Sequence, residues 1–201
     1  MNKITINENH EYIFNSFTYV SVTTLLKHFG MSPDYDSFGT DYSRSLGIVL
    51  HEACALLDED NLGEFDPAIE GRLNGYKKFL EMYKPKWEII EKPLVSVIWR
   101  FAGTPDRYGV MDRKNIILDI KSGYPDDSHN LQTAGYEILL NAFLAGKKKM
   151  ERYALYLMEN NFKLVKHEDK TDESIFLALT QAYNWKLNHN KIKEFVWKTQ
   201  N

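Results

Sequence analysis

The chain has 201 residues, 43% of them hydrophobic and 13% aromatic, a composition typical of a globular protein with a substantial buried core. Its single cysteine, Cys54, excludes an intramolecular disulfide and a four-cysteine zinc or iron–sulfur site within one chain. The net charge of −3 argues mildly against a nucleic-acid binder, and the sequence has no apolar run of signal-peptide or transmembrane length, so we expect a soluble cytoplasmic protein without a membrane partner.

The N-terminal part of the chain, about residues 19–85, is predicted to be largely helical. Its first elements are a short strand over 19–22 and a short helix over 23–30. A turn-rich loop separates them from two longer helices, which the spacing of apolar residues predicts over about 43–58 and 67–83.

The pattern then changes to that of strands. Residues 87–102 predict a strand that is interrupted near Pro93. Two more strands are predicted over 104–111 and 116–121, and a helix follows over about 128–145.

The last elements are a hairpin and a helix. Strands over 153–158 and 162–167 flank a turn at Asn160-Asn161, and a helix follows from about Asp172 to Asn188. The order of elements predicts an α/β (α+β) fold with a mixed central sheet flanked by helices.

The predicted hairpin between residues 104 and 121 carries the most informative side chains. Asp119 and Lys121 share one face of their strand, because side chains alternate along a strand. We expect a turn centred on Arg113-Lys114, which sets Asp106 opposite Lys121 and diagonal to Asp119. Opposite and diagonal neighbours lie roughly 5 and 7–8 Å apart, so the three side chains can converge on one ion. A slip of one residue would move Asp106 to the other face.

Two carboxylates and a lysine in this arrangement suit metal-assisted phosphodiester chemistry. Asp106 and Asp119 supply hard oxygen ligands for Mg²⁺ or Mn²⁺, and the carbonyl of Ile120 is a further candidate ligand. Lys121 can orient the attacking water or neutralise charge that develops on the phosphate. An Asp-Ile-Lys sequence at a strand end is also common on ordinary protein surfaces, so the hairpin alone leaves both explanations open.

Polar residues outside the hairpin add to the candidate site. Gln132 and Tyr136 are four residues apart and share one face of the following helix, where they can bind a phosphate or the lysine. His51 is a candidate metal ligand or phosphate donor. An exposed polar face and a structural histidine explain the same residues. Glu91 is a further candidate carboxylate, but the side of the sheet that it faces cannot be derived from the pattern.

Together these residues resemble the RecB-like, phage-type exonuclease branch of the PD-(D/E)XK nuclease superfamily. The resemblance covers about residues 19–158. Its motifs, in chain order, are Tyr19-Val-Ser-Val-Thr-Thr-Leu-Leu, Gly47-Ile-Val-Leu-His51, Gly103-Thr-Pro-Asp106-Arg107, Leu118-Asp119-Ile-Lys121-Ser-Gly123 and Gln132-Thr-Ala-Gly-Tyr136.

The resemblance implies a restriction-endonuclease-like core with the order αβββαβ and a Mg²⁺ or Mn²⁺ cofactor. His51, Asp106 and Asp119 would ligate the metal, Lys121 would be catalytic, and Gln132 and Tyr136 would support the substrate and the site. Relatives cut DNA, often from its ends, and many serve recombination or repair in bacteria and phages.

For this chain the resemblance implies one nuclease domain over 1–201. It comprises a helical part over about 19–85, a catalytic core over about 88–167 and a C-terminal helix over about 172–189. The expected setting is the cytoplasm of a bacterium or of a phage-infected host. A recombinase or single-strand-binding protein is the expected protein partner, and an oligomer is compatible with the family.

Charge along the chain is uneven and identifies candidates for DNA contact. Residues 144–201 carry 11 Lys and Arg against 7 Asp and Glu, which leaves 14 against 21 for the rest of the chain. A basic segment can hold a phosphate backbone, although a solvated surface explains it equally well. The candidates are Lys147, Lys148, Lys149, Lys163, Lys166, Lys191 and Lys193.

Two alternatives to an exonuclease stay open at this point. One is a structure-specific endonuclease on the same core. The other is a catalytically silent module that binds DNA or a partner. The intact set of Asp106, Asp119 and Lys121 favours an enzyme, because a module that only binds has no need of two ligands and a lysine.

Overall fold

The computed structural model describes residues 3–7, 11–32, 41–146 and 148–189. Within these residues the strands form two five-stranded sheets, and five α-helices surround them. Of the sequence-derived elements, most of the predicted loop over 31–42 lies outside the described residues.

The smaller sheet has the strand order β1-β2-β3-β6-β5. Its strands are β1 (Thr5–Ile6), β2 (Tyr12–Phe14), β3 (Phe17–Ser21), β5 (Leu94–Ser96) and β6 (Phe101–Gly103). The first helix, α1 (Val22–His28), leaves β3 directly, and the Ser21 side chain caps it by accepting a hydrogen bond from the Thr24 amide. This sheet therefore joins the N-terminal segment to the middle of the chain, where β3 and β6 pair in parallel.

The larger sheet has the order β10-β9-β8-β7-β4 and positions the candidate site. Its strands are β4 (Lys86–Ile90), β7 (Arg107–Met111), β8 (Lys114–Lys121), β9 (Glu151–Met158) and β10 (Asn161–His167). Neighbours are antiparallel except β8 and β9, which are parallel and are joined through a crossover helix, α4 (Ser128–Phe143). The candidate residues lie at the end of β8 where this crossover begins.

Helices cover both faces of the larger sheet. The remaining helices are α2 (Asp41–Asp58), α3 (Glu70–Tyr83), which follows a 3₁₀ turn at Pro67–Ile69, and α5 (Asp172–Asn188). On one face, residues of α2 and α3 pack against Ile116, Leu118 and Ile120 of β8. On the other face, residues of α4 and α5 form a core with Ile117. Because β8 is buried on both faces, its polar residues Asp119 and Lys121 need partners within the protein.

The predicted fold class and the order αβββαβ are confirmed. Helix α3, the strands β4, β7 and β8, helix α4 and strand β9 follow one another as expected, with β5 and β6 inserted between β4 and β7. This is the order of the restriction-endonuclease-like core. Among the described residues, no helix has both the length and the apolar character needed to cross a membrane.

The predicted register of the hairpin was wrong by two residues. Met111 pairs with Lys114 and Arg107 with Leu118, so the turn is Asp112-Arg113 rather than Arg113-Lys114. Both turn residues have positive φ, 50° and 64°, which is the conformation that a two-residue hairpin turn of type I′ requires. A shift of two residues preserves the face, and the observed register continued by one residue sets Asp106 opposite Asp119 instead of opposite Lys121.

Two other segments differ from the sequence-based expectation. The single interrupted strand predicted over 87–102 is three strands, because Glu91 and Arg100 adopt positive φ, 44° and 57°, and turn the chain twice. The turn between β9 and β10 lies at Glu159-Asn160, since Met158 pairs with Asn161. The short strands β1 and β2 were not predicted.

The corrected turn gives a first testable prediction. Arg113→Gly should raise the free energy of unfolding by roughly 0.5 kcal/mol, because glycine adopts a positive φ without steric cost. Lys114→Gly should lower it by a similar amount, because Lys114 lies in β8 and pairs with Met111. Urea unfolding of both variants measures the difference. If the turn were centred on Arg113-Lys114, both substitutions would stabilise the protein.

Candidate metal centre

Four separate segments of the chain meet at one end of the larger sheet. Asp106 precedes β7, and Asp119 and Lys121 lie near the end of β8. His51 reaches the site from α2, and Gln132 from α4. The strands bring the two carboxylates together, and helices from the two faces of the sheet supply the remaining groups.

A short hydrogen bond fixes Asp106 against β8. Its Oδ2 accepts a hydrogen bond of 2.6 Å from the backbone N–H of Ile120, and 6% of the residue is exposed. The same oxygen lies 3.6 Å from Nδ1 of His51. Ile120 therefore contacts the site through its N–H, and the role of its carbonyl oxygen as a metal ligand stays a prediction.

His51, Glu91 and Asp106 form a group with the donor atoms of a metal site. One ligand atom from each of them lies within 4.8 Å of the other two. Nδ1 of His51 is 3.7 Å from Oε1 of Glu91. The sequence left the orientation of Glu91 open, and in the structure the residue has a positive φ of 44° and its carboxylate lies in this group.

Asp119 and Lys121 belong to a second, connected set of contacts. Nζ of Lys121 is 2.8 Å from Oδ2 of Asp119 and donates a hydrogen bond of 2.9 Å to Oε1 of Gln132. The Gln132 amide donates to Oδ1 of Asp119 at 3.2 Å and to the Tyr136 hydroxyl at 2.9 Å. The structure thus brings together all of the predicted catalytic residues, and their functional roles stay predictions.

One oxygen of this set lacks a hydrogen bond. Oδ2 of Asp119 is buried and has no hydrogen-bond partner, although the Lys121 ammonium lies close enough for an ion pair. An anionic oxygen buried in this way carries a desolvation cost that an ion pair with unfavourable hydrogen-bond geometry offsets only in part. A divalent cation at this oxygen would add to the stabilisation that Lys121 provides.

The electrostatics of the site show the cost of two neighbouring buried carboxylates. Burial raises the pKa of Asp119; the charge of Lys121 opposes this, and the charge of Asp106 adds to it. Burial likewise raises the pKa of Asp106, against the influence of His51. Burial lowers the pKa of His51, but Asp106 and Glu91 outweigh this effect and leave the pKa raised. A bound divalent cation would favour the ionised carboxylates.

Two histidines near Lys121 were missed by the sequence analysis. Nδ1 of His129 lies 2.7 Å from the Tyr156 hydroxyl, and Nδ1 of His167 lies 2.8 Å from Oγ1 of Thr133. Burial lowers the pKa of each to about 4, and the charge of Lys121 contributes to both shifts. The only signal in the sequence was that His129 lies one helical turn before Gln132.

Of the motif glycines, Gly47 proves less constrained than its place in the motif suggests. A Cβ at Gly47 would lie 3.6 Å from Oγ of Ser122, an ordinary van der Waals contact. A Cβ at Gly103 would come within 3.0 Å of a ring carbon of Tyr136. Space for the Tyr136 ring therefore accounts for the glycine that begins the Asp106 motif.

The basic candidates for DNA contact are dispersed. Lys166 forms ion pairs with Glu151 and Glu168, whereas Lys148, Lys149 and Lys163 are exposed. Lys147, Lys191 and Lys193 lie outside the described residues. Tyr156 pairs with Lys121 on β8 and with Lys163 on β10, so the two lysines lie in one row across the sheet, about 10 Å apart.

Comparisons with known proteins give likenesses to solved structures at low sequence identity. No family model matches the sequence, and no curated protein matches it. A candidate exonuclease from Eubacterium rectale is 10% identical, with 87% of this chain and 75% of that chain covered and a TM-score of 0.49. LHK-Exo in complex with dAMP is 13% identical, with 87% and 94% covered and a TM-score of 0.39.

A third structure, SSO0001, is 16% identical with a TM-score of 0.34. The match covers 58% of this chain and spans 59% of the length of that one. The function proposed below therefore rests on the residues of the site.

The neutral histidines give a prediction of pH dependence. The pKa of His167 in the folded protein, about 4, is below its value in the unfolded chain. As the pH falls, the unfolded chain is therefore protonated at this histidine before the folded protein is, and the free energy of unfolding decreases. The stability advantage of the wild type over His167→Gln should therefore shrink by about 1–2 kcal/mol between pH 7.5 and pH 5.

Urea unfolding at the two pH values measures this difference, and contributions of the carboxylates common to both proteins cancel. The exposed His189→Gln is the matched control for the loss of an imidazole. An advantage that stays constant or grows at pH 5 would contradict a neutral, buried His167.

Proposed function

We propose that this protein is a Mg²⁺- or Mn²⁺-dependent DNA nuclease of the RecB-like branch of the PD-(D/E)XK superfamily. The observation that carries the proposal is the convergence of two buried carboxylates, Asp106 and Asp119, with the Lys121 ammonium at the end of β8. Burial raises the pKa of both acids, Asp106 raises that of Asp119 further, and Glu91 raises that of Asp106, which is a costly arrangement that a divalent cation would stabilise.

The residues present fit a divalent metal. The side chains of His51, Asp106 and Asp119 offer two carboxylates and one imidazole, a combination that suits Mg²⁺ and especially Mn²⁺, and Oδ2 of Asp119 is a buried oxygen whose close partner is the Lys121 ammonium. The ligands that we propose are His51, Asp106, Asp119 and the carbonyl of Ile120. When bound, the metal would lower the pKa of a water molecule and neutralise charge on the phosphate.

The remaining side chains prepare the site for a phosphodiester. Lys121, held between Asp119 and Gln132, supplies a positive charge for a phosphate oxygen or orients the attacking water. Gln132 fixes this lysine because its amide is itself anchored on Asp119 and Tyr136. Burial raises the pKa of Tyr136 well above its usual value, so the phenol stays protonated and keeps its place in this chain of contacts.

We propose DNA ends as the substrate and recombination or repair as the setting, with a recombinase or single-strand-binding protein as the partner. Linear and covalently closed circular DNA, each incubated with Mg²⁺ or Mn²⁺, separate an exonuclease from an endonuclease. Loss of linear DNA alone supports the exonuclease, and cutting of closed circles supports a structure-specific endonuclease. No cleavage of either DNA with either metal would leave a silent binding module.

The carboxylate at position 119 gives the most direct test of chemistry. Asp119→Ala should lower the cleavage rate roughly 10³-fold or more, because it removes a metal ligand and the partner of Lys121, while DNA binding persists in part. End-labelled DNA measures cleavage, and fluorescence anisotropy measures binding. Glu88→Gln, an exposed carboxylate on β4, is the matched control and should cleave like the wild type.

Lys163 gives a test of the DNA-binding surface. Lys163→Gln should weaken DNA binding and lower the slope of log Kd against log salt concentration by about 0.7–0.9, the effect of one lost phosphate contact. Lys86→Gln removes an exposed lysine from β4 at the opposite edge of the sheet and should leave the slope unchanged. Equal slopes for the wild type and Lys163→Gln would show that Lys163 does not contact a phosphate.

A further inference from the structure

A fully buried arginine lies directly behind the candidate metal centre. Arg107 has 0% exposure, and its Nε donates a hydrogen bond of 2.6 Å to Oδ2 of Asp58. Its Nη1 donates to Oε1 of Glu91 at 3.2 Å and to the backbone carbonyl of Asp106 at 2.7 Å. One guanidinium thus contacts both segments that carry the carboxylates of the group formed by His51, Glu91 and Asp106.

The anchor of this arginine is itself held rigidly. Asp58 accepts hydrogen bonds from the Tyr76 hydroxyl at 2.6 Å and from Nε1 of Trp87 at 3.2 Å. The two carboxylate oxygens of Asp58 therefore accept hydrogen bonds from three donors, Tyr76, Trp87 and Arg107, which lie on three different elements. Because a guanidinium is planar, fixing Nε on Asp58 also fixes the direction of Nη1 toward Glu91.

The side chain of Glu91 occupies a position that its backbone alone would not hold. The residue has a φ of 44°, which is unfavourable for a side chain with a Cβ, and its N–H donates to the carbonyl of Asp106 at 3.0 Å. About a third of its side chain is exposed, so without a partner the carboxylate would be free to turn toward solvent. Arg107 on one side and His51 on the other keep it in the centre.

The ion pair with Asp58 does not by itself explain why an arginine occupies position 107. Nη2 of Arg107 is buried without a hydrogen bond, a cost that a lysine or an apolar residue would avoid. The feature that a guanidinium adds is a second, directed contact from the same rigid group, and that contact goes to Glu91.

From this geometry we propose that Glu91 acts as a metal ligand together with His51 and Asp106, and that Arg107 is the positioning residue that holds it there. The inference rests on the proposed function in one respect, that the centre binds a divalent cation. It adds a ligand that the family motifs do not include and assigns a role to the arginine that follows Asp106.

Binding of Mn²⁺ alone, without DNA, tests the inference by isothermal titration calorimetry on the full chain. Glu91→Gln should weaken Mn²⁺ binding about 10-fold, since an amide is a poorer ligand than a carboxylate. Arg107→Met should weaken it by a similar factor, and the double variant should be no weaker than Arg107→Met alone. Non-additivity of this kind indicates that both residues act through one contact.

A matched control separates positioning from loss of stability. Arg152 is also buried and binds a carboxylate, but its contacts are Asp172 and the carbonyls of Asn130 and Asp169 rather than the proposed ligands. Arg152→Met should lower the free energy of unfolding as Arg107→Met does and leave Mn²⁺ affinity unchanged. If Arg107→Met does not fold, Arg107→Lys replaces it in the experiment. Lysine keeps the positive charge but loses the directed contact with Glu91, so this variant should also bind Mn²⁺ more weakly than the wild type.

The outcomes distinguish the inference from the proposed function. Wild-type Mn²⁺ affinity in Glu91→Gln, or independent additive losses in the double variant, would overturn the inference while leaving a metal-dependent nuclease intact. A wild-type protein that binds no Mn²⁺ and cleaves no DNA would overturn both. Weakened Mn²⁺ binding in Glu91→Gln and in the folded arginine variant, with Arg152→Met unaffected, supports the inference.

Discussion

The hydrogen bond from the Ile120 amide to Oδ2 of Asp106 holds the centre together. Asp106 lies just before β7, where ladder pairing has not yet begun, so the strand register alone does not fix its side chain. By accepting an N–H of β8, the carboxylate docks against the strand that carries Asp119 and Lys121. The same oxygen lies 3.6 Å from Nδ1 of His51, so the carboxylate also contacts the histidine that α2 brings to the site.

Ion pairs surround the hydrogen bond between Asp106 and Ile120. Behind the centre, Arg107 offsets Asp58 and contacts Glu91, and in front of it Lys121 offsets Asp119. Each pair has at least one fully buried member, and a pair of this kind is costly to break when its buried charge is left without a partner. Asp106 is compensated by His51, by the charge of Lys121 and by the Ile120 amide, and a cation at that point would add to this stabilisation.

The alternation of side chains between the two faces of a strand explains how much of the site could be predicted from the sequence. The turn position was wrong because neither Asp112 nor Arg113 is a glycine, and nothing in the composition marks them as the residues with positive φ. Since the error was two residues, Asp106 still shared a face with Asp119. The long helix α5 was predicted with its observed bounds because its pattern is uninterrupted over many turns. By contrast, β1 and β2 are too short to produce a periodic signal.

Glu91 and Arg107 could not be placed from the sequence because each departs from the rules by which sequence patterns are interpreted. Glu91 enters the centre through a left-handed backbone conformation, and Arg107 is charged yet fully buried. Each violation is costly by itself, and the two compensate each other across a contact of 3.2 Å. Local rules fail most often where a protein accepts strain for a function. Left-handed residues such as Arg100 and buried arginines such as Arg152 also occur elsewhere, but Glu91 and Arg107 contact each other beside Asp106, and this contact supports the proposed metal centre without reference to any motif.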